Sequence, residues 1–196
     1  MDSIETDARA VQAHLRREAL ARRDAMDMGR RIEASFELAD RVGEALDVAP
    51  GTIVSGYLPI RSELDLRPLM MRLADRRARL CVPAIVEGRL VFRELLRGAP
   101  LEPQGFGTYA PGEAAAVLEP DLMLVPLAAF DRAGGRIGYG RGYYDGAIAA
   151  LRERGRDPRL VGAGFSVQEV EAIPLQAHDV RLPEIATETG LRRLGL

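Results

Sequence analysis

Apolar positions recur at helical spacing twice near the start of the chain. Val11, Leu15 and Ala19 share one stripe, with Arg16, Arg17, Arg22 and Arg23 on or near the other face. Ile32, Phe36, Ala39, Val42 and Leu46 then repeat at intervals of three and four, and the Ala-Pro-Gly at 49–51 ends that second helix. "TIVSGYL" predicts a first strand, and "DLRPLMMRLADRRA" a helix capped by Asp65 with Leu66, Leu69, Met70 and Leu73 on its apolar face. "RLCVPAIV" reads as a strand that turns at Glu87–Gly88 into an antiparallel "RLVFREL". Residues 97–120, rich in Pro, Gly and Ala, form a long connection. "LMLVPLAAF" is nearly continuous in apolar character, as a strand buried on both faces must be. A helix over "YDGAIAALRER" ends near Gly155, and "RLVGAGF" and "EIATETG" supply the last two strands. Strands alternating with helices predict an α/β protein: one three-layer domain over residues 1–196, with helices on both faces of a mostly parallel sheet. Ile53, Val82, Leu124 and Val161 should all lie in that sheet.

Composition narrows the class. A formal charge of -2 leaves no basic footprint for nucleic acid. The apolar runs are too short to span a bilayer and the first ten residues are acidic and polar, so a cytoplasmic protein without membrane attachment is expected. The one cysteine, Cys81, reads as a small buried thiol in a core strand. All 27 basic residues are arginines, so any phosphate or carboxylate must be met by planar guanidinium forks. A monomer is expected.

The densest chemistry lies in "RIGYGRGYYDG", residues 136–146. Gly138, Gly140 and Gly142 alternate with larger residues between a buried strand and a helix, where open α/β sheets bind ligands. Glycines there let backbone N–H groups close on an anion, and the following helix adds its positive end. Arg136 and Arg141 bring charge, so a polyphosphate is the natural guest; Asp145 can cap the helix or help to hold magnesium. The spacing is neither that of a Walker loop nor that of a dinucleotide fingerprint, and glycines in a loop more often mean only a tight turn. The residues alone therefore reach an anion site and no further.

"VPLAAFDRAGGRIGYGRGYYD" closely resembles the signature of the 5-formyltetrahydrofolate cyclo-ligase family, also called methenyltetrahydrofolate synthetases. The resemblance extends to "GYLPIRSELD", to "VGAGFSVQEVEAIPLQAHDVRLPEIATETG" and to the basic "LRREALARRDAM" near the start. It implies an ATP- and Mg-dependent ring closure of 5-formyltetrahydrofolate to 5,10-methenyltetrahydrofolate, with release of ADP and phosphate. Carried over by position, it implies ATP contacts from Gln12, Arg16 and the run Arg136, Gly138, Tyr139, Gly140, Arg141, Gly142, Tyr143 and Tyr144. Folate contacts would come from Arg16, Leu58, Glu63, Tyr139, Gly140, Arg141, Gly142 and Tyr143, and magnesium would be met by Asp145 and Asp179. Arg136, Arg141 and Tyr144 would carry the chemistry. No protein nucleophile is needed, so His14 and His178 are assigned no catalytic role.

The chain departs from the family pattern in places. Gln12 stands where lysine is usual, Ala110 where the Gly-x-x-Glu-Pro motif has its glutamate, and Gly146 where arginine is common. Gln12 and Ala110 favour an alternative reading, a non-catalytic paralogue that binds folate or a nucleotide.

Overall fold

The structure, a computed structural model, describes residues 2–105, 107–175 and 179–195, with side chains from residue 8 onward. Helices α1 (Asp2–Asp24) and α2 (Met28–Ala45) open the chain, followed by β1 (Ile53–Ser55), α3 (Arg67–Asp75), β2 (Arg79–Val86) and β3 (Arg89–Glu94). Then come β4 (Leu101–Gly105), β5 (Thr108–Pro111), β6 (Val117–Leu118), β7 (Leu122–Pro126), β8 (Ala129–Phe130) and β9 (Arg136–Ile137). The chain ends with α4 (Tyr143–Glu153), β10 (Arg159–Ala163), a 3-10 turn at Ser166–Gln168, β11 (Glu184–Thr187) and β12 (Gly190–Arg193).

The main sheet runs β12-β11-β10-β7-β1-β2-β3-β6. Its five central strands are parallel, and β12, β3 and β6 add antiparallel pairs at the two edges. Ile53, Val82, Leu124 and Val161 sit in β1, β2, β7 and β10 as expected. One face buries Leu38, Val42 and Leu46 of α2 and Leu69 and Leu73 of α3 against Val54, Leu124 and Val161. The other buries Ile148 and Leu151 of α4 against Met123, Val125, Leu160 and Ile185. Helices therefore cover both faces.

The order of the strands decides where a ligand can bind. The chain leaves β1 toward β2 on one side, and β7 later joins β1 on the other. Loops at the carboxyl ends of β1 and β7 thus diverge and open a crevice, as at a topological switch point.

Several local expectations give way to tertiary structure. The inward face of α1 carries Gln12, Arg16 and Arg23 beside the expected Leu15 and Ala19, whereas Val11 is exposed. Its inward arginines find carbonyl and hydroxyl partners, which offset the cost of burying their charge. On α2, Ile32 and Phe36 face solvent, because α3 covers only the carboxyl-terminal part of that face near Gly43. The connection 97–120 contains the β4–β5 hairpin and the short β6. "LMLVPLAAF" divides into β7 and β8, and β8 leaves the main sheet to pair with β9. Residue 66 is the cap position of α3, although Asp65 does accept the Arg67 N–H at 2.9 Å. An added strand, β12, follows the expected last one. Cys81 is buried with its Sγ 3.6 Å from the Val54 carbonyl, and burial pushes its thiol up to about 12.

Candidate active site

All the residues singled out for ATP, folate and metal line one cavity of about 890 Å³ at the switch point. That volume lies near the upper end of the roughly 300–1,000 Å³ typical of ligand pockets. Leu58 and Glu63 enter from the loop after β1, Arg136 through Asp145 from β9 and α4, and Gln12 and Arg16 from α1. The position of α1 follows from Leu15 and Ala19, which pack on Ala129, Ile137 and Ile173 beside the β8–β9 hairpin.

The glycine loop is clamped from outside. Arg16 donates from Nε to the Gly138 carbonyl at 2.8 Å, and its two Nη atoms lie 3.5 Å from where a side chain on Gly140 would begin. Half-buried, its guanidinium is lowered from its ordinary pKa by desolvation. Gly140 has φ +87° and Gly142, at the start of α4, φ +65°. No side chain caps α4; Asp145 lies in its first turn and is occupied differently from a cap. Its Oδ1 accepts from Arg136 Nη2 at 2.7 Å, while Arg136 Nη1 donates to the Val180 carbonyl at 2.7 Å. Arg136 is 8% exposed, so much of its fork is committed to holding the segment near Asp179 against α4.

Gln12 donates to the Pro174 carbonyl at 2.7 Å and to Asp179 Oδ2 at 3.1 Å. A lysine there would therefore meet Asp179 as well as any phosphate. The two expected metal carboxylates thus have protein partners, Asp145 with Arg136 and Asp179 with Gln12. Among the described residues there is no cluster of three or more His, Cys, Asp or Glu side chains able to hold a metal by itself. This donor set suits magnesium, which keeps waters and phosphate oxygens and needs only one or two carboxylates.

Glu63 closes the other end of the cavity. Its Oε2 accepts the Ile60 N–H at 2.9 Å, and Tyr139 lies near enough to feel its charge. Burial raises its pKa above the ordinary carboxylate value, against the pull of that N–H, of Tyr139, and of Arg23 and Arg61. Tyr139 is pushed up to about 12, first by burial and then by the charge of Glu63. The Tyr144 hydroxyl is buried without a hydrogen-bond partner among the described residues, and burial raises its pKa well above the usual value.

The sequence pattern did not single out Tyr57, Arg61, Thr108 and Tyr109, which also line the cavity. Arg61 adopts φ +54°, a strained conformation that periodicity cannot disclose. Ala110, by contrast, is fully buried in the core and stands outside the cavity wall. His14 lies on the exposed side of α1, 3.3 Å from Glu18; His178 lies outside the described residues.

Asp131 was visible only as part of a signature. It is 4% exposed and accepts the N–H groups of Ala133, Gly135 and Ile173 at 2.9, 2.8 and 2.8 Å. Gly134 in the same turn has φ +81°, and a side chain there would begin 2.5 Å from the Leu182 carbonyl oxygen. This turn sets the approach of β9 and so aims the glycine loop. Asp131→Ala leaves three N–H groups unpaired, and about 3–4 kcal/mol of stability should be lost. Urea unfolding checks this; a loss below about 1 kcal/mol would show the turn to be self-supporting.

The sequence profile of the 5-formyltetrahydrofolate cyclo-ligase family matches residues 8–188. The chain belongs to this family. The 5-formyltetrahydrofolate cyclo-ligase of Escherichia coli strain K12 is 27% identical over 85% of this chain and 94% of its own. That of Mycolicibacterium smegmatis is 29% identical over 70% of this chain and 74% of its own. The 5,10-methenyltetrahydrofolate synthetase of Aquifex aeolicus superposes with a TM-score of 0.74 at 27% identity, covering 94% of this chain and 93% of that one. The family match runs from α1 to the end of β11, and thus spans each element that builds the cavity.

Proposed function

We propose that this chain is an ATP- and Mg²⁺-dependent 5-formyltetrahydrofolate cyclo-ligase, working as one domain over its whole length. The observation that carries the reading is a single cavity with an arginine-clamped glycine loop at one end and a buried carboxylate, Glu63, at the other. One end suits a polyphosphate. The other suits the N–H donors of a pterin ring.

A formamide carbonyl is a poor electrophile, and phosphorylating its oxygen turns that oxygen into a leaving group. The γ-phosphoryl of ATP passes to the formyl oxygen and ADP departs. The lone pair of the neighbouring folate N10 then attacks the formyl carbon, its proton is lost, and phosphate leaves with the oxygen. A carbon–nitrogen bond forms as a carbon–oxygen bond breaks, and 5,10-methenyltetrahydrofolate results. Such transfer depends on positioning and charge neutralisation. Arg16 and Arg141 offer charge at the loop, and the backbone of Gly138 to Gly142 offers donors. Arg136 holds Asp145 in place, and Tyr144 lines the cavity beside them. Bound magnesium would neutralise phosphate charge, with Asp145 and Asp179 as the carboxylates that meet it. No step calls for a protein nucleophile.

The direct test follows methenyl product by ultraviolet absorbance from 5-formyltetrahydrofolate, ATP and Mg²⁺. Folate binding by calorimetry without any product would overturn the enzyme reading and leave a binding paralogue.

Glu63→Gln separates recognition from stability. Losing one charge-assisted hydrogen bond should weaken folate binding about tenfold to thirtyfold. The fold should not suffer at neutral pH, and the sign follows from linkage. Because the folded state raises the pKa of Glu63, the native protein holds its proton more tightly than the unfolded chain, and ionised Glu63 costs stability. A neutral amide at this position removes that cost. The variant should therefore melt at the same or a higher temperature at neutral pH, with the advantage fading as pH falls through the raised pKa toward about 4. A variant that melts clearly lower at pH 7 and equally at pH 4 would contradict the assignment.

A further inference from the structure

We infer that Arg23 is a positioning residue of the folate end of the cavity, tying Ser62 to Tyr139 so that Glu63 and the glycine loop keep a fixed relation. The inference rests on the functional reading above for its ligand, though its geometry does not.

Arg23 is 2% exposed, within an apolar fold that gives a buried charge little reason to be there for stability alone. Its Nε donates to Ser62 Oγ at 3.0 Å and its Nη1 to the Tyr139 hydroxyl at 2.8 Å. The guanidinium carbon lies 6.0 Å from the centroid of the Tyr139 ring. Ser62 hydrogen-bonds in turn to Asp24, whose carboxylate lies 3.7 Å from Arg23 Nε. One fork thus grips the residue next to Glu63 and the aromatic residue at the heart of the glycine loop. These two segments are far apart in sequence and reach the cavity from different strands.

The contact also sets a direction. A tyrosine hydroxyl has one proton, and an arginine can only donate. With Arg23 Nη1 donating to its oxygen at 2.8 Å, the Tyr139 hydroxyl is fixed near Glu63, whose charge it feels. Arg23 thus fixes Tyr139 and also lowers the Glu63 carboxyl directly by its charge, which leaves the carboxylate able to accept from a ligand. The groups facing Glu63 are Arg23 from α1, Arg61 and the Ile60 N–H from its own loop, and Tyr139 from the glycine loop. Tyr57 and Tyr144 also sense its charge. Arg23 alone among these reaches both the Glu63 loop and the glycine loop without itself lining the cavity.

The test compares wild type, Arg23→Met, Tyr139→Phe and the double variant by calorimetry with 5-formyltetrahydrofolate and, separately, with ATP–Mg²⁺. Titration of Glu63 is followed in ligand-free protein by carboxyl-¹³C NMR, assigned through Glu63→Gln. Arg23→Met should weaken folate about tenfold or more, the worth of a charge-assisted hydrogen bond, and ATP less than about twofold. Glu63 should titrate at higher pH in Arg23→Met, because a charge that lowers it is gone, and the effect of Arg23→Met on folate affinity should shrink once Tyr139 is Phe. Equal weakening of both ligands, full additivity in the double variant, or an unmoved Glu63 titration would each overturn the inference. If Arg23→Met fails to fold, Arg23→Lys replaces it; lysine keeps the charge but cannot span both partners, and an undiminished folate affinity there would overturn the inference too. Wild-type protein that binds no folate would sink the functional reading, and the ligand-free titration would still decide the role of Arg23.

Discussion

Gly140→Val should slow methenyl formation at least about a hundredfold while leaving the sheet folded. Gly140 has φ +87°, a conformation that costs a non-glycine residue about 1–3 kcal/mol, most for a β-branched one. The new Cβ would begin 3.5 Å from both Nη atoms of Arg16, so the γ-methyls must displace either the guanidinium or the anion it faces. Removing one preorganised donor from a developing negative charge lowers turnover by about 10²–10³, and this change disturbs both a backbone donor and the arginine that clamps it. The expected loss is therefore at least about a hundredfold in turnover, with a stability loss of about 1–3 kcal/mol in urea unfolding. Gly155→Val is the matched control. Gly155 has φ +76° past the end of α4, with no atom within 4 Å of an added Cβ, so it shares the strain without touching the cavity. If Gly140→Val keeps activity within threefold of Gly155→Val, the loop does not hold the phosphates.

Most of the sheet was legible from the sequence because its strands are short apolar runs whose burial leaves few alternatives. "RLCVPAIV" and "RLVFRE" coincide with β2 and β3, and the turn at Glu87–Gly88 joins them, with Glu87 and Gly88 at φ +48° and +76°. The β4–β5 hairpin was missed for the opposite reason. Leu101, Glu102 and Pro103 are all exposed, and only Ala110 and Pro111 on its inner strand are buried, so no alternation announces it. Helix α1 was legible only in part: Leu15 and Ala19 pack inward as their stripe predicts, but the rest of its inward face is polar. A stripe of Gln12, Arg16 and Arg23 looks like a solvated surface until the carbonyls and hydroxyls that receive it are in place. The same holds for the site. The glycine run could be singled out from the sequence, and the family signature supplied Glu63 and Asp179; all of them line the cavity. Arg23 could not be found that way, since its meaning comes from Ser62 and Tyr139, which lie 39 and 116 residues further along the chain.

Arg16→Ala carries the other large expected effect, and it tests whether α1 belongs to the nucleotide site. Arg16 has two tasks that one substitution removes together. Its Nε bond to the Gly138 carbonyl holds the loop closed, and its Nη atoms face Gly140, where the proposed site would take a phosphate. A charge-assisted hydrogen bond is worth about 1.5–3 kcal/mol, and loosening of the loop adds to that loss. The apparent Michaelis constant for ATP should rise about a hundredfold, while that for folate should rise only a few-fold, because Glu63 and its donors are untouched. Arg16→Lys distinguishes the two tasks. Lysine restores a positive charge but not the planar fork that donates to Gly138 while facing Gly140. If charge dominates, the lysine variant should recover most of the ATP affinity and its residual effect should shrink as salt is raised. If the clamp dominates, lysine should recover little and turnover should stay low even at saturating ATP. An Arg16→Ala protein whose ATP and folate constants rise alike would mean that α1 supports the whole cavity rather than the phosphate end of it.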